Sequence, residues 1–338
     1  MYAVLRPKSP LIEQLNQVSE KNITTLGLRN SLDAQSARRL ASIVKKNEIQ
    51  IVHAHMARDY PLGAYAAALS RVARFVITRH VLFPLNAFHR FTLVHVSRVI
   101  AVSEAVAVQL RAERVVPAER IAVVHNGVDV DRFQRTLDRF NRAQFLRTWN
   151  LPETALLIGT VGELKPLKGQ EEFLRAAAQV APLVPNAWFI VAGVDTSGTL
   201  EHRQRLERLI DELQLRSRVL LVDWVSDIVE MYCALDIFVS ASRAESFGLA
   251  MAESMASHTA VVATSTEGAK TIIDSNNTGV LVPVGDDRAI ADAVLSLLQD
   301  ETRRRELGNS AARSVRARFG LDRMIEATER IYEDVLKS

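Results

Sequence analysis

Cysteine is almost missing from this 338-residue chain: Cys233 is the only one, so no disulfide can form within it. That scarcity suits a reducing compartment, and the apolar neighbours of Cys233 suggest a buried structural thiol. Long apolar runs are missing too. No stretch reaches the roughly 20 residues needed to cross a bilayer, and the first residues lack the apolar centre of a signal peptide. The expectation is a cytoplasmic protein. Acids are scarce in the front half: residues 1–150 hold 22 Lys and Arg against 11 Asp and Glu, a balance of +11, while the rest holds 20 against 28, a balance of −8. A basic half favours an anionic partner, such as a phosphate-bearing acceptor or an anionic membrane surface met peripherally. The alternative is that surface arginines merely aid solubility. No recognisable nucleic-acid-binding module organises these charges, which leaves nucleic acid as the least favoured partner.

What is present describes a globular α/β protein. Apolar residues make up 48% and charged residues 24%, which excludes disordered and fibrous classes. The length allows two domains, each with its own core. Short strands are expected at 2–5 and 23–26, with a helix near 11–18, and Asp33 looks like the N-cap of a helix over 34–46. Strands at 49–55, 75–78, 99–102 and 121–124 alternate with helices at 61–71, 85–93 and 104–114. This alternation predicts a parallel, doubly wound sheet. Polar residues gather at the carboxyl ends of these strands, where such sheets bind ligands. His53 and His55 end one strand, on the same side; Arg79 and His80 end the next. His53 and His55 could in principle hold a metal, but no third ligand has suitable spacing, so no metal is expected. Val81-Leu-Phe-Pro-Leu-Asn-Ala-Phe-His-Arg-Phe91 is rich in large apolar residues. It is either core or, with Arg90 and Arg98 beside it, a segment facing an acceptor or a membrane.

A charged, less periodic stretch over about 135–152 suits a helix and linker between domains, followed by strands at 156–161, 189–191 and 219–222. The apolar run 235–241 then leads into Ala241-Ser-Arg-Ala-Glu245-Ser-Phe-Gly-Leu-Ala-Met-Ala-Glu253. A buried strand runs into a polar loop and Gly248 opens a helix, whose first N–H groups suit an anion. Two carboxylates beside an anion hole point to a ligand both phosphorylated and rich in hydroxyls. The plainer alternative is an ordinary strand–loop–helix joint with solvated acids.

The Glu245-x7-Glu253 spacing with Phe247-Gly-Leu249 inside it resembles the donor-site signature of family 4 retaining glycosyltransferases of the GT-B fold. Val261-Val-Ala-Thr264, Asn277-Thr-Gly-Val-Leu-Val-Pro283 and Leu307-Gly-Asn-Ser-Ala-Ala-Arg313 are similar as well, and the resemblance runs from about residue 49 to the end. It implies two Rossmann-like domains facing a cleft: 1–150 on the acceptor side, 151–319 for the nucleotide sugar, and a helix over 320–338 crossing back to the first. It implies that Glu245 contacts the donor sugar and that Glu253 holds the ribose. The amides of Ser246, Phe247, Gly248 and Leu249 would face the sugar and diphosphate, with Lys168 and Gly162 at the diphosphate and backbone near Val225 against the base. His80 would lie near the reacting carbon, with Arg79, His53 and His55 on the acceptor side. No cofactor or metal is implied, only a nucleoside-diphosphate sugar, of UDP or GDP, as donor.

Several positions depart from the family pattern. Glu163 stands where the family has arginine, and a carboxylate there would repel a diphosphate; the direction of Lys165, two residues on, decides whether that charge is offset. Ser246, His258 and Ala260 replace the usual glycine, glycine and proline, and Glu267-Gly-Ala-Lys-Thr271 replaces a Gly-Gly and a downstream acid. The family's opening strand and glycine-rich turn have no counterpart, since Met1 begins at what resembles the second strand. Either the chain is a shortened version of a longer product or the remaining strands rearrange to close the sheet. The reading is a retaining, metal-independent glycosyltransferase acting on a glycan or lipid-linked acceptor, as in cell-envelope polysaccharide or lipopolysaccharide synthesis. Its rivals are a non-catalytic GT-B-like binding protein and a nucleotide-sugar epimerase on the same fold.

Overall fold

The computed structural model describes residues 1–85, 87–223, 225 and 227–337. Asn86 of the apolar 81–91 stretch, and Trp224 and Ser226 on either side of Val225, lie outside the described residues. The chain divides into two units, Met1–Val124 with Glu326–Ser338, and His125–Ile325.

The strands are β1 (Ala3–Leu5), β2 (Ile23–Thr25), β3 (Ile51–Ala54), β4 (Arg74–Arg79), β5 (Arg98–Ala101), β6 (Ile121–Val123), β7 (Leu156–Val161), β8 (Ala187–Ala192), β9 (Val219–Val222), β10 (Ile237–Ser240), β11 (Ala260–Thr264) and β12 (Val280–Val282). Every pairing among them is parallel. Parallel pairing requires crossovers, and these are the helices expected between the strands.

In the first unit the sheet order is β3-β4-β5-β6, with β1-β2 forming a separate two-stranded sheet. Among the described residues no strand pairs with the second edge of β1 or with the free edge of β3, so the remaining strands do not close into one sheet. Apolar contact holds the pair in place instead: Leu26 and Leu28, just after β2, cluster with Ala37 and Leu62 from the two helices that follow. The first of those helices, Ala34–Lys46, is capped as expected, the Asp33 side chain accepting from the Ser36 N–H. Ser103 caps Glu104–Glu113 in the same way.

The helix expected near 11–18 is not there. Only a single turn forms, at Pro10–Ile12. Val18 is the one residue of that stretch that buries its side chain, so little packing offsets the cost of starting a helix. The boundary between units also lies earlier than 150. Residues 125–150 fold as two helices, Val130–Leu137 and Arg142–Thr148, that pack on the second unit. Phe133 meets Tyr232 with ring centroids 6.1 Å apart.

The second unit holds one six-stranded sheet in the order β12-β11-β10-β7-β8-β9. The chain steps outward from β7 to β9, then restarts at β10 on the other side of β7. The order therefore reverses between β7 and β10, and the carboxyl ends of those two strands form the crevice where such sheets receive ligands. Leucine, isoleucine, valine and phenylalanine fill a core on one face of this sheet, including Ile158, Phe189, Ile237 and Val262 from the strands and Phe173 and Leu174 from the helix after β7.

Asp236, just before β10, joins the two central strands. Its Oδ2 accepts from the Leu157 N–H at 2.8 Å and from Arg142 Nη2 at 2.6 Å, and Arg142 Nη2 also reaches the Ala155 carbonyl at 3.0 Å. Arg142→Ala would leave a mostly buried carboxylate with the more distant Arg304, 4.0 Å away, as its cation. About 2 kcal/mol of the second unit's stability is the expected loss, since the arginine itself is a third exposed and water offsets part of the cost. Urea unfolding followed by tryptophan fluorescence measures it, and an unchanged midpoint would remove Arg142 from this role.

Candidate functional site

At the β7/β10 crevice two loops meet backbone to backbone. Gly169 has φ +68°, and a Cβ there would stand 2.0 Å from the Ala241 carbonyl oxygen, so no other residue fits. The Arg243 N–H donates to the Leu167 carbonyl at 2.8 Å, stitching the same loops together. This approach carries Lys168 from the β7 loop to Glu245 on the β10 loop: Lys168 Nζ donates to Glu245 Oε2 at 2.7 Å. Ser242 Oγ donates to that same oxygen at 3.4 Å. The Glu245 backbone is fixed in turn, its carbonyl accepting from the Gly268 N–H at 3.0 Å.

Gly248 has φ +100°, the left-handed turn into the helix Leu249–Ala256, and no side chain caps that helix. Its first N–H groups therefore open toward a cavity of about 140 Å³ lined by Thr160, Lys168, Ser240, Ser242, Glu245 and Gly248, among others. A lysine, a helix N-terminus and three hydroxyls around one small cavity suit a phosphorylated ligand.

Of the residues singled out from sequence, Lys168, Glu245, Gly248 and Leu249 share this cavity, and Gly162 lies against the stem of Lys168. Ser246 is half-buried in the same loop, and Val225 is half-buried away from the cavity lining. Phe247 is turned into the core, stacked on His125 with centroids 5.8 Å apart, so only its backbone is available to a ligand. Glu253 sits further along the helix and its Oε2 accepts from the buried Tyr232 hydroxyl at 3.0 Å. Burial pushes its carboxyl pKa up, while the Tyr232 bond and the Arg132 charge pull it back. Glu163 pairs with Lys165 and accepts from the Thr196 hydroxyl. These bonds hold its pKa below the usual carboxylate range, and Lys165 thus neutralises Glu163.

Sequence reasoning missed Ser242, Thr160, Tyr232 and Gly268. Ser242 carried a signal, since Ser240 and Ser242 both fall where β10 leaves the sheet. Tyr232 and Gly268 come from other segments and become partners only through the fold.

In the first unit His53, His55 and His80 gather at the ends of β3 and β4. The rings of His53 and His55 stack with centroids 4.2 Å apart, and those of His55 and His80 at 5.6 Å. His55 Nδ1 lies 3.3 Å from His80 Nε2. His53 is engaged at both nitrogens, Nδ1 2.6 Å from the Tyr332 hydroxyl and Nε2 2.8 Å from that of Thr78. Tyr332 belongs to the final helix, Leu321–Lys337, whose last turns are part of this unit. Loss of hydration, then the neighbouring His55 and His80, pushes the His53 pKa down to about 3. His80 is pushed down to about 4, first by burial and then by His55 and Arg79; the residue is nonetheless exposed, so water screens part of that effect. Arg79 is turned inward, 5% exposed, and donates to the Phe83 carbonyl. The 81–91 stretch divides in two: Leu85 and His89 are buried, whereas Phe83 and Phe91 are 65% and 77% exposed.

The whole chain has the GT-B fold. It superposes on the crystal structure of a glycosyltransferase from Rickettsia africae with a TM-score of 0.85 at 22% identity, covering 100% of this chain and 91% of that one. The Anabaena Alr3699/HepE structure solved with UDP and glucose gives 0.85 at 21%, covering 98% and 91%. Residues 141–314 match the model of the family described as glycosyl transferases group 1, and residues 4–132 that of glycosyltransferase family 4. The chain belongs to the glycosyl transferases group 1 family. It is 26% identical over 315 residues to the N-acetyl-alpha-D-glucosaminyl L-malate synthase of Bacillus anthracis, covering 90% of this chain and 80% of that protein. It is 27% identical over 217 residues to the lipopolysaccharide core biosynthesis mannosyltransferase LpsB of Rhizobium meliloti, 64% of this chain and 61% of that protein. Among the described residues no helix is long and apolar enough to cross a membrane.

His53 makes the first unit acid-sensitive. Its folded pKa lies below the unfolded value near 6.5, so its contribution is complete above that value. It drains as pH falls from about 6.5 toward about 3, because the unfolded chain takes up a proton that the folded one refuses. The loss approaches about 1.4 kcal/mol per pH unit, less whatever its exposed edge gives back to water. Urea unfolding at pH 7, 6, 5 and 4, native against His53→Gln, checks this. The native protein should show the steeper decline, and equal slopes would rule out a neutral His53 as the cause.

Proposed function

We propose that the protein is a retaining, metal-independent glycosyltransferase that moves a sugar from a UDP- or GDP-sugar to a glycan or lipid-linked acceptor. Family membership supports the reaction class. The observation that carries the reading is the small cavity at the N-terminus of Leu249–Ala256, with Lys168 as its cation and Glu245 as its acid. In the reaction the bond from the anomeric carbon to the diphosphate oxygen breaks. A bond to the acceptor oxygen forms on the same face, and the acceptor proton passes to the departing phosphate. Lys168 and the first helical amides would take the charge that develops on the diphosphate, an electrostatic route to a lower barrier. Glu245 would accept hydrogen bonds from the sugar and Glu253 from the ribose, Tyr232 holding the Glu253 carboxylate in place. His80, with His53 and His55 beside it, keeps the role near the reacting carbon and acceptor that the family resemblance implies. The LpsB relative supports a lipopolysaccharide-core type of acceptor.

A non-catalytic nucleotide-binding protein is the second reading, and Glu163 favours it: even neutralised by Lys165, it supplies no cation to a diphosphate. Calorimetric titration with UDP and GDP, followed by a donor and acceptor screen, tests both. One nucleotide should bind, Glu253→Ala should weaken it about tenfold or more through loss of charged hydrogen bonds to the ribose, and sugar should transfer. Binding without transfer to any acceptor would favour the second reading; no binding of either nucleotide at millimolar concentration would end both.

Membrane contact, the remaining part of this reading, rests on Phe83, Phe88 and Phe91, all exposed beside Arg90 in a unit with excess positive charge. Aromatic side chains that enter the interface and cations that meet anionic headgroups act together in peripheral binding. Co-sedimentation with vesicles containing phosphatidylglycerol should retain the native protein, and Phe83→Ser with Phe91→Ser should release most of it. Equal retention on neutral phosphatidylcholine vesicles, or by the double variant, would refute this surface.

A further inference from the structure

The second unit's cavity already contains an ion pair that a diphosphate must break. Lys168 is the only cation among the residues that line it and Glu245 the only acid, and they are joined at 2.7 Å. Their side chains are 27% and 16% exposed, so the attraction is stronger than that of a surface pair.

We propose that Glu245, by competing for Lys168, sets the preference of this site for a sugar-bearing nucleoside diphosphate over the bare nucleoside diphosphate. The inference rests on the proposed donor site and adds to it a selectivity with a physical origin. When a nucleotide sugar enters, Lys168 changes partner from carboxylate to phosphate. The displaced Glu245 then finds sugar hydroxyls to accept from, so it is not left a desolvated, unpaired charge. A bare nucleoside diphosphate has no hydroxyl at that end and carries an additional negative charge on its terminal phosphate. Glu245 then faces like charge with only Ser242 as donor. Its return to Lys168 opposes retention of the bare diphosphate, which is the species left after transfer. The same carboxylate thus favours the substrate and hastens the departure of the product.

The test is calorimetric titration of UDP, GDP, UDP-glucose and GDP-mannose into the native chain, Glu245→Gln, Lys168→Gln and the double variant, with thermal unfolding as a check on folding. Glu245→Gln should bind the bare diphosphate about tenfold more tightly without gaining affinity for the matching nucleotide sugar. The gain should vanish in the Lys168→Gln background, because no cation remains to compete for. Glu245→Asp, whose carboxylate is one methylene shorter and falls short of Lys168, should tighten the diphosphate in the same direction and serves if Glu245→Gln misfolds. If the native chain binds a nucleotide and neither Glu245 variant binds the diphosphate more tightly, the inference is wrong while the donor site stands. A gain that persists without Lys168 also overturns it. If neither the native chain nor any variant binds any of the four probes, the donor-site reading falls and takes the inference with it.

Discussion

The backbone contact between Gly169 and Ala241 decides most of the second unit's chemistry. Strands β7 and β10 are neighbours at the place where sheet order reverses, and their loops can converge only if one contributes no side chain at the point of contact. That contact puts Lys168 across from Glu245, fixes the mouth of the cavity and lets the helix after Gly248 present its bare amides to the same space. Lys165, three residues earlier on the same loop, pairs with Glu163 instead.

The fold was legible because period and length agree along the chain. Buried runs alternate with helical stretches, and crossovers of that length permit the parallel pairing that such alternation favours. The residues of the proposed donor site were legible for a related reason: Glu245, Gly248 and Glu253 lie in one continuous segment, where spacing translates directly into geometry. What sequence left undecided were directions in space. Lys165 could have faced either way, and it faces Glu163. Phe247 reads as part of a ligand loop, yet its ring joins His125 and Phe319 in the core. Arg79 reads as an acceptor-side residue, yet its guanidinium is folded inward. The short segment at 11–18 shows the limit of periodicity, because its pattern had too little core to bury against.

The two units manage polarity in opposite ways. The second concentrates opposite charges in a small space, which suits an anionic ligand that exchanges partners with them. The first gathers three imidazoles whose burial disfavours their protonated forms, His55 adding to that effect at both His53 and His80, with Tyr332 and Thr78 holding His53. Neutral rings stacked in this way can accept or donate a hydrogen bond without bringing a charge of their own.

The separate β1-β2 pair has a consequence for how this chain can vary. It shares no backbone ladder with the four-stranded sheet, and it is tied to the rest by a small apolar cluster and by side-chain bonds such as Leu28 N–H to Ser36 Oγ. The register of β3 on β4, on which the histidine stack stands, therefore uses no backbone hydrogen bond from residues 1–32. Their tie to the rest of the unit runs through side chains such as these, so it is local packing and not strand pairing that a change there would disturb.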